Sequence, residues 1–161
     1  MSKVDPSKIT IICINTIKSA INTDDSFLNA PVDFNKASVG FSQNSRFNFE
    51  KKIIAVRLNI ILEGVNNENT PVGVKGEFCF EFQLHIDNLE VFIEQDKNDN
   101  SIKVSGELGA SIMGIVYSTA RGIVLERTQN TYLKGAILPV IDPAILLSQS
   151  PTCASTCRSL L

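Results

Sequence analysis

The residues best spaced for chemistry are Asp96, Asn98, Asn100 and Glu107. They occupy the first, third, fifth and twelfth places of a calcium loop, where oxygen side chains wrap one cation. The match stops there. The sixth place, which needs glycine for a sharp turn, is Ser101, and the eighth, normally apolar, is Lys103. Only Asp96 joins Glu107 as a carboxylate, so little charge is available for a divalent ion, and the stretch reads as a polar loop running into a helix. Cys153 and Cys157 are spaced like half of a zinc site. The other half is missing, because His85 is the sole histidine and lies far away in sequence, whereas structural zinc takes four ligands. Tyr117, Ser118 and Arg121 fall in a helical stretch. A hydroxyl nucleophile needs a base and an orienting acid beside it, and His85 belongs to a strand pattern. There is no glycine-rich phosphate loop, zinc-binding helix motif or nucleophile elbow. The sequence predicts no enzyme, no metal site and no cofactor.

The elements that carry these residues fit one domain, since 161 residues with 43% hydrophobic and 20% charged content match an ordinary globular chain. Residues 1–7 and 148–161 read as flexible tails. A net charge of -2 offers no concentrated basic surface for nucleic acid or anionic lipid. The early apolar stretch is broken by Thr10, Asn15 and Lys18, unlike a signal peptide, and no run approaches the ~18 apolar residues of a membrane span. The expected location is the cytoplasm, where disulfides are rare, and Cys13 and Cys79 read as packed thiols.

Ile9 to Ile17 is rich in β-branched residues and predicts a strand partly covered on both faces. Phe27 to Phe41 is interrupted by Pro31 and Gly40, which argues for an edge or irregular strand. Between Phe47 and Leu62 the pattern sharpens: Ile54, Val56, Leu58, Ile60 and Leu62 share one face, Ala55, Arg57 and Asn59 the other. Val65 to Thr70, followed by Pro71, is a turn by its asparagines and proline. Beyond it Val74, Gly76, Phe78, Phe80, Phe82, Leu84 and Ile86 alternate with a polar set that includes His85. Two long strands joined by a short turn predict an antiparallel sheet with one buried face. Asp87 to Ile93 fits either more sheet or a short helix.

From about Val104 to Thr128 the period becomes helical. Ala110, Met113, Tyr117, Ala120 and Val124 form one apolar stripe, and Leu108, Ile112, Ile115, Thr119 and Ile123 a second. The remaining side, with Glu107, Ser111, Gly114, Ser118 and Arg121, is mostly small and would let another backbone come close. So wide an apolar arc predicts cover from two directions, by the sheet and by a second subunit. Ser111, Gly114, Tyr117, Ser118 and Arg121 are the expected oligomer contacts. Ile137 to Ile141 runs extended through Pro139, and Asp142 with Pro143 starts a short helix to about Leu147.

Leu108, Gly109 and Ala110, then Tyr117, Ala120 and Arg121, then Thr131, then Leu138, Pro139 and Val140, then Asp142, Ala144 and Leu146 follow one another in an order that resembles the C-terminal half of the SecB export chaperones. The resemblance implies an α+β fold, a four-stranded antiparallel sheet packed by one long and one short C-terminal helix, assembled as a dimer or tetramer. It also implies an ATP-independent holdase whose clients, unfolded polypeptides or preproteins, lie in apolar grooves that cover exposed side chains without reading sequence. Phe27, Phe34, Phe41, Phe47 and Phe49, with Ile145 and Leu146, lie outside the cleanest core stripes and form the expected client groove. Typical members dock the SecA motor through a strongly acidic sheet face. This chain is only -2 overall and carries Lys51, Lys52, Arg57 and Lys75 around its central strands, which sets SecA docking against a solitary chaperone for one client such as an antitoxin. A scaffold that binds one folded partner is the alternative from another class.

Overall fold

The computed structural model describes residues 3–95 and 102–148. The start of the calcium-like spacing, 96–101, and the cysteine pair in 149–161 lie outside the described residues. The two alternating runs become β3 (Ile53–Val65) and β4 (Pro71–Ile86), antiparallel neighbours that register Val56 with Phe82, Leu58 with Phe80 and Ile60 with Phe78. All six of these side chains are buried, so one face of the hairpin is the floor of the core. Asn66 closes the turn between the strands, its side-chain oxygen accepting the amides of Glu68 and Thr70 at 2.9 Å each.

β1 (Ile9–Thr23) pairs with β4 and β2 (Lys36–Asn48) with β3, giving one antiparallel sheet in the order β1-β4-β3-β2. The first strand is longer than Ile9 to Ile17, and it is not covered on both faces: it is an edge strand whose Ile11, Ile12, Ile14 and Ile17 stay exposed. Ile12 and Ile17 sit at its two register shifts, the extra residues of bulges that bend the edge.

The segment expected as one irregular strand from Phe27 to Phe41 divides in two. After Asp24 the chain makes a short helical turn, α1 (Asp25–Asn29), whose Phe27 and Leu28 amides donate to the Asp24 carbonyl. Pro31 stops the turn by pushing the residue before it out of the helical region, and pairing resumes only at Lys36, where the far edge strand begins. Phe27, only 4% exposed, is carried into the core by this turn.

Asp87 to Ile93 resolves into a tight helical turn over Leu89–Phe92 that buries Leu89 and Phe92, then a small hairpin of β5 (Ile93–Gln95) and β6 (Ile102–Val104). Ser105 caps α2 (Gly106–Thr128) by accepting the Leu108 amide at 3.4 Å. The helix buries Leu108, Ile112, Met113, Val116, Tyr117, Ala120, Val124 and Thr128. By length and composition α2 would suit a membrane span, but this apolar arc is packed in the core against the sheet. α3 (Pro143–Ser148) starts at Asp142, whose carboxylate accepts the Ala144 amide at 2.9 Å, and folds back on α2. At the other end, Val4 packs on the core and Asp5 accepts the Ser7 amide at 3.0 Å.

Candidate functional site

Phe27 joins the two irregular links of the chain. Its ring meets Phe34 edge-on at 6.1 Å and Tyr132 edge-on at 5.1 Å, tying the α1–β2 link to the α2–α3 link. The second link leaves α2 through Thr131, which donates to the Thr128 carbonyl at 2.8 Å and accepts the Leu133 amide at 3.1 Å. Buried Leu133 and Leu138 anchor it, and Gly135, at a φ of 86°, permits the reversal between them. Further on, the Tyr117 hydroxyl donates to the Pro139 carbonyl at 2.6 Å.

Between the links lies an open cleft of about 580 Å³, with Phe34, Ala37, Ile137, Leu138, Pro139 and Val140 as its apolar lining and Lys36, Arg121 and Lys134 among them. Its surroundings are unusually apolar for solvent-facing chain. Leu28, Val32, Tyr132 and Ile137 are exposed, and Val140 is 81% exposed. A second cleft of about 370 Å³ opens at the other end of the sheet, lined by Phe47, Ile54, Val56, Val104, Met113 and Leu147 with polar neighbours. Here Phe47 stacks on Phe49 at 6.0 Å. Gly109 lets α3 close over this end, since a Cβ there would stand 3.1 Å from Leu147.

The aromatic residues expected in one groove are therefore distributed. Phe34 lines the larger cleft, Phe47 the smaller with Phe49 beside it, and Phe41 packs edge-on against Tyr117 at 5.4 Å. Ile145 is exposed on α3. Phe27 and Leu146 are corrections: at 4% and 1% exposed they are core, because α1 and α3 each have one inward position and these residues hold it. Leu28, Val32, Ile137, Val140 and Leu147 were missed as site residues. For Val32, Ile137 and Val140 the available signal was apolar side chains set beside prolines, where neither helix nor strand covers them; Leu28 and Leu147 are outward positions of α1 and α3.

Of the residues expected at a subunit contact, Ser118 is exposed and Ser111 half-buried on the outer side of α2. Gly114 instead faces this chain's own α3 link, a Cβ there standing 3.5 Å from Pro143. Arg121 lines the larger cleft, and Tyr117, 5% exposed, is a core residue. Burial pushes the Tyr117 hydroxyl up to about 12.

The sheet face away from the helices is paired charge. Glu81 lies between Arg46 at 2.8 Å and Arg57 at 2.9 Å, and Glu77 between Lys18 and Lys75. The hydrogen bond from Lys18, then that from Lys75, draws the Glu77 carboxyl down to about 2. Arg57 does the same to Glu81 in direction. On this face His85 approaches Asp87 at 3.3 Å, and burial raises the Cys79 thiol, which makes it a poor nucleophile. Among the described residues no three His, Cys, Asp or Glu side chains are grouped to hold a metal.

A four-stranded antiparallel sheet in the order β1-β4-β3-β2, with a long and a short helix following it in sequence, is an α+β fold of the SecB-like class. Among solved structures, the SecB-like chaperone of Mycobacterium tuberculosis in complex with a ChAD peptide from the HigA1 antitoxin matches with a TM-score of 0.55 and 13% identity, covering 84% of this chain and 91% of that one. A protein of unknown function from Streptococcus agalactiae matches with a TM-score of 0.39 and 12% identity, over 82% of this chain and 97% of that one. No protein-family model and no curated sequence matches. The likeness establishes the fold.

Proposed function

We propose that this protein is an ATP-independent holdase of the cytoplasm that binds unfolded polypeptides, working as a homo-oligomer. One observation carries the reading: the larger cleft is lined by the exposed Ile137 and Val140, and Leu28, Val32 and Tyr132 also stand in solvent on the segments that lead to its two walls. Apolar side chains of an unfolded chain lose water against such a surface, at roughly 25 cal/mol per Å² buried, whatever their order in sequence. The SecB-like neighbour, solved with an antitoxin peptide, supports the same kind of ligand.

The paired sheet face bears on the partner. Glu63, Glu77 and Glu81 share it with Lys18, Arg46, Arg57 and Lys75, which supports a dedicated client such as an antitoxin over docking of an export motor like SecA through acidic charge. The free edge of β1, with its four exposed isoleucines, supports a second copy of the chain as the covering element.

The test is light scattering from a chemically unfolded model protein diluted into buffer without nucleotide. Suppressed aggregation, weakened in an Ile137→Ser, Val140→Ser variant that keeps its melting temperature, is expected. No protection by the wild type would sink the holdase reading and favour a scaffold for one folded partner.

A further inference from the structure

Lys36, Arg121 and Lys134 come from three separate places, the start of β2, the middle of α2 and the link after it, yet all three line the larger cleft. No acidic residue lines it; Asp33 and Asp142 are near in sequence but outside the lining. Among the described residues these three cations have no carboxylate partner, whereas Lys18, Arg46, Lys52, Arg57 and Lys75 are all in ion pairs. In a chain of net charge -2, three cations outside these ion pairs thus come together at the larger cleft, with no carboxylate in its lining. The phenol of Tyr117 adds no compensating charge, being neutral at ordinary pH. Along the wall, the amides of Ile137, Leu138 and Val140 donate to no backbone carbonyl among the described residues, which leaves main chain for a bound peptide to pair with.

Resting on the holdase reading, we infer that this cleft selects client segments in which apolar side chains are flanked by Asp or Glu. The apolar group sits against Phe34 and Leu138, and the carboxylates face Arg121, Lys36 and Lys134. Arg121 and Lys36 are half-buried and Lys134 is exposed; Arg121 is the one able to grip a carboxylate through two parallel hydrogen bonds, and the lysines act as point charges. Partial enclosure keeps these attractions from being fully screened, and they supply the discrimination that a bare apolar cleft lacks.

Fluorescence anisotropy on the full chain tests this with three short peptides that share one apolar core flanked by Glu, by Gln or by Lys. Affinity is expected to fall in that order, with roughly tenfold between the Glu and Lys peptides at low ionic strength, narrowing as salt is added. In a Lys36→Gln, Arg121→Gln, Lys134→Gln variant the Glu peptide is expected to bind no better than the Gln peptide. The single exposed change Lys134→Gln, which carries little folding risk, is expected to give a partial loss. Equal binding of the Glu and Lys peptides, or preference for Lys, overturns the charge selection alone. Failure of all three to bind overturns the holdase reading and this inference with it.

Discussion

The hydroxyl of Tyr117, rooted in the core on α2, donates at 2.6 Å to the carbonyl oxygen of Pro139 in the exposed wall of the larger cleft. It couples the packed helix to a stretch of chain with no helix or strand bonds of its own. Tyr117→Phe keeps the ring against Phe41 and removes only the donor. The expected cost is about 1 kcal/mol, or a fall in Tm of roughly 2–4 °C for a chain of this size. Peptide affinity should fall as well, because the wall loses its tether. A thermal melt with peptide anisotropy checks both, and unchanged affinity would show that the wall holds its shape without the bond.

The same phenol predicts an alkaline limb. Burial lifts its pKa from 10.0 to about 12, so between those values the folded protein holds a proton that the unfolded chain has released. Stability from the neutral phenol is complete below pH 10.0 and declines as pH rises toward about 12. Urea unfolding across that window should show a steeper decline for the wild type than for Tyr117→Phe. Parallel curves would mean that the hydroxyl is solvated in the folded state.

At the acid end the sign reverses. Lys18 and Lys75 hold the Glu77 carboxyl near 2 against an ordinary 4.5, so its contribution is present above pH 4.5 and is lost as pH falls toward about 2. The groups are partly exposed, so the effect is a fraction of what the shift alone implies. Glu77→Gln should flatten the acid limb of the stability curve while changing stability at neutral pH by less than about 1 kcal/mol. An acid limb of unchanged slope would remove Glu77 from the account.

Gly64 fixes where Phe34 can stand. A Cβ at that position would lie 2.7 Å from Cε2 of the Phe34 ring, which must shift, and 3.1 Å from Val72, which must give by a few tenths of an ångström. Gly64→Ala is expected to displace the ring that floors the larger cleft, at a cost of about 1–3 kcal/mol. Client protection should fall by more than the melting temperature explains when wild type and variant are compared at equal folded fraction. A variant with full protection would place the client elsewhere, with the cleft of Phe47 and Leu147 next in line.

These dependences show why the sheet was easier to read than the site. β3 and β4 were legible because Leu58 and Phe80, like their neighbours, are buried on one face only, so each strand prints its period in the sequence. Phe27 was not, since a helical turn of five residues is too short to show a period and Pro31 follows at once. Tyr117 stood in an apolar stripe and also beside the small residues of the outer helix face. Only the position of Pro139 decides between core and contact. The larger cleft joins Phe34, Arg121 and Val140, which no spacing rule connects. Its parts were visible as apolar residues between prolines, but their convergence depends on the ring of Phe27 pinning two distant links together.

The free edge of β1 gives the last prediction. A strand of 15 residues paired on one side presents a row of unmet amides and carbonyls, and Ile11 and Ile14 stand exposed on its helix-side face. Lys18 does not guard the edge, because its ammonium is committed to Glu77 across the sheet. Ile17, at 53% exposed, sits at one bulge. A second copy lying along this edge would meet the backbone bonds and remove the isoleucines from water together. Ile11→Lys with Ile14→Lys puts two charges where that contact would form, and it should lower the mass measured by light scattering toward that of one chain. Each side chain is only 38% exposed, so a loss of roughly 0.5–3 kcal/mol in protomer stability is expected, and mass is compared at a temperature where the variant remains folded. An unaltered mass would move the subunit contact to the outer strip of α2, where Ser118 and Gly122 leave room for a second backbone. A wild type that is already a single chain at working concentration would end the oligomer proposal.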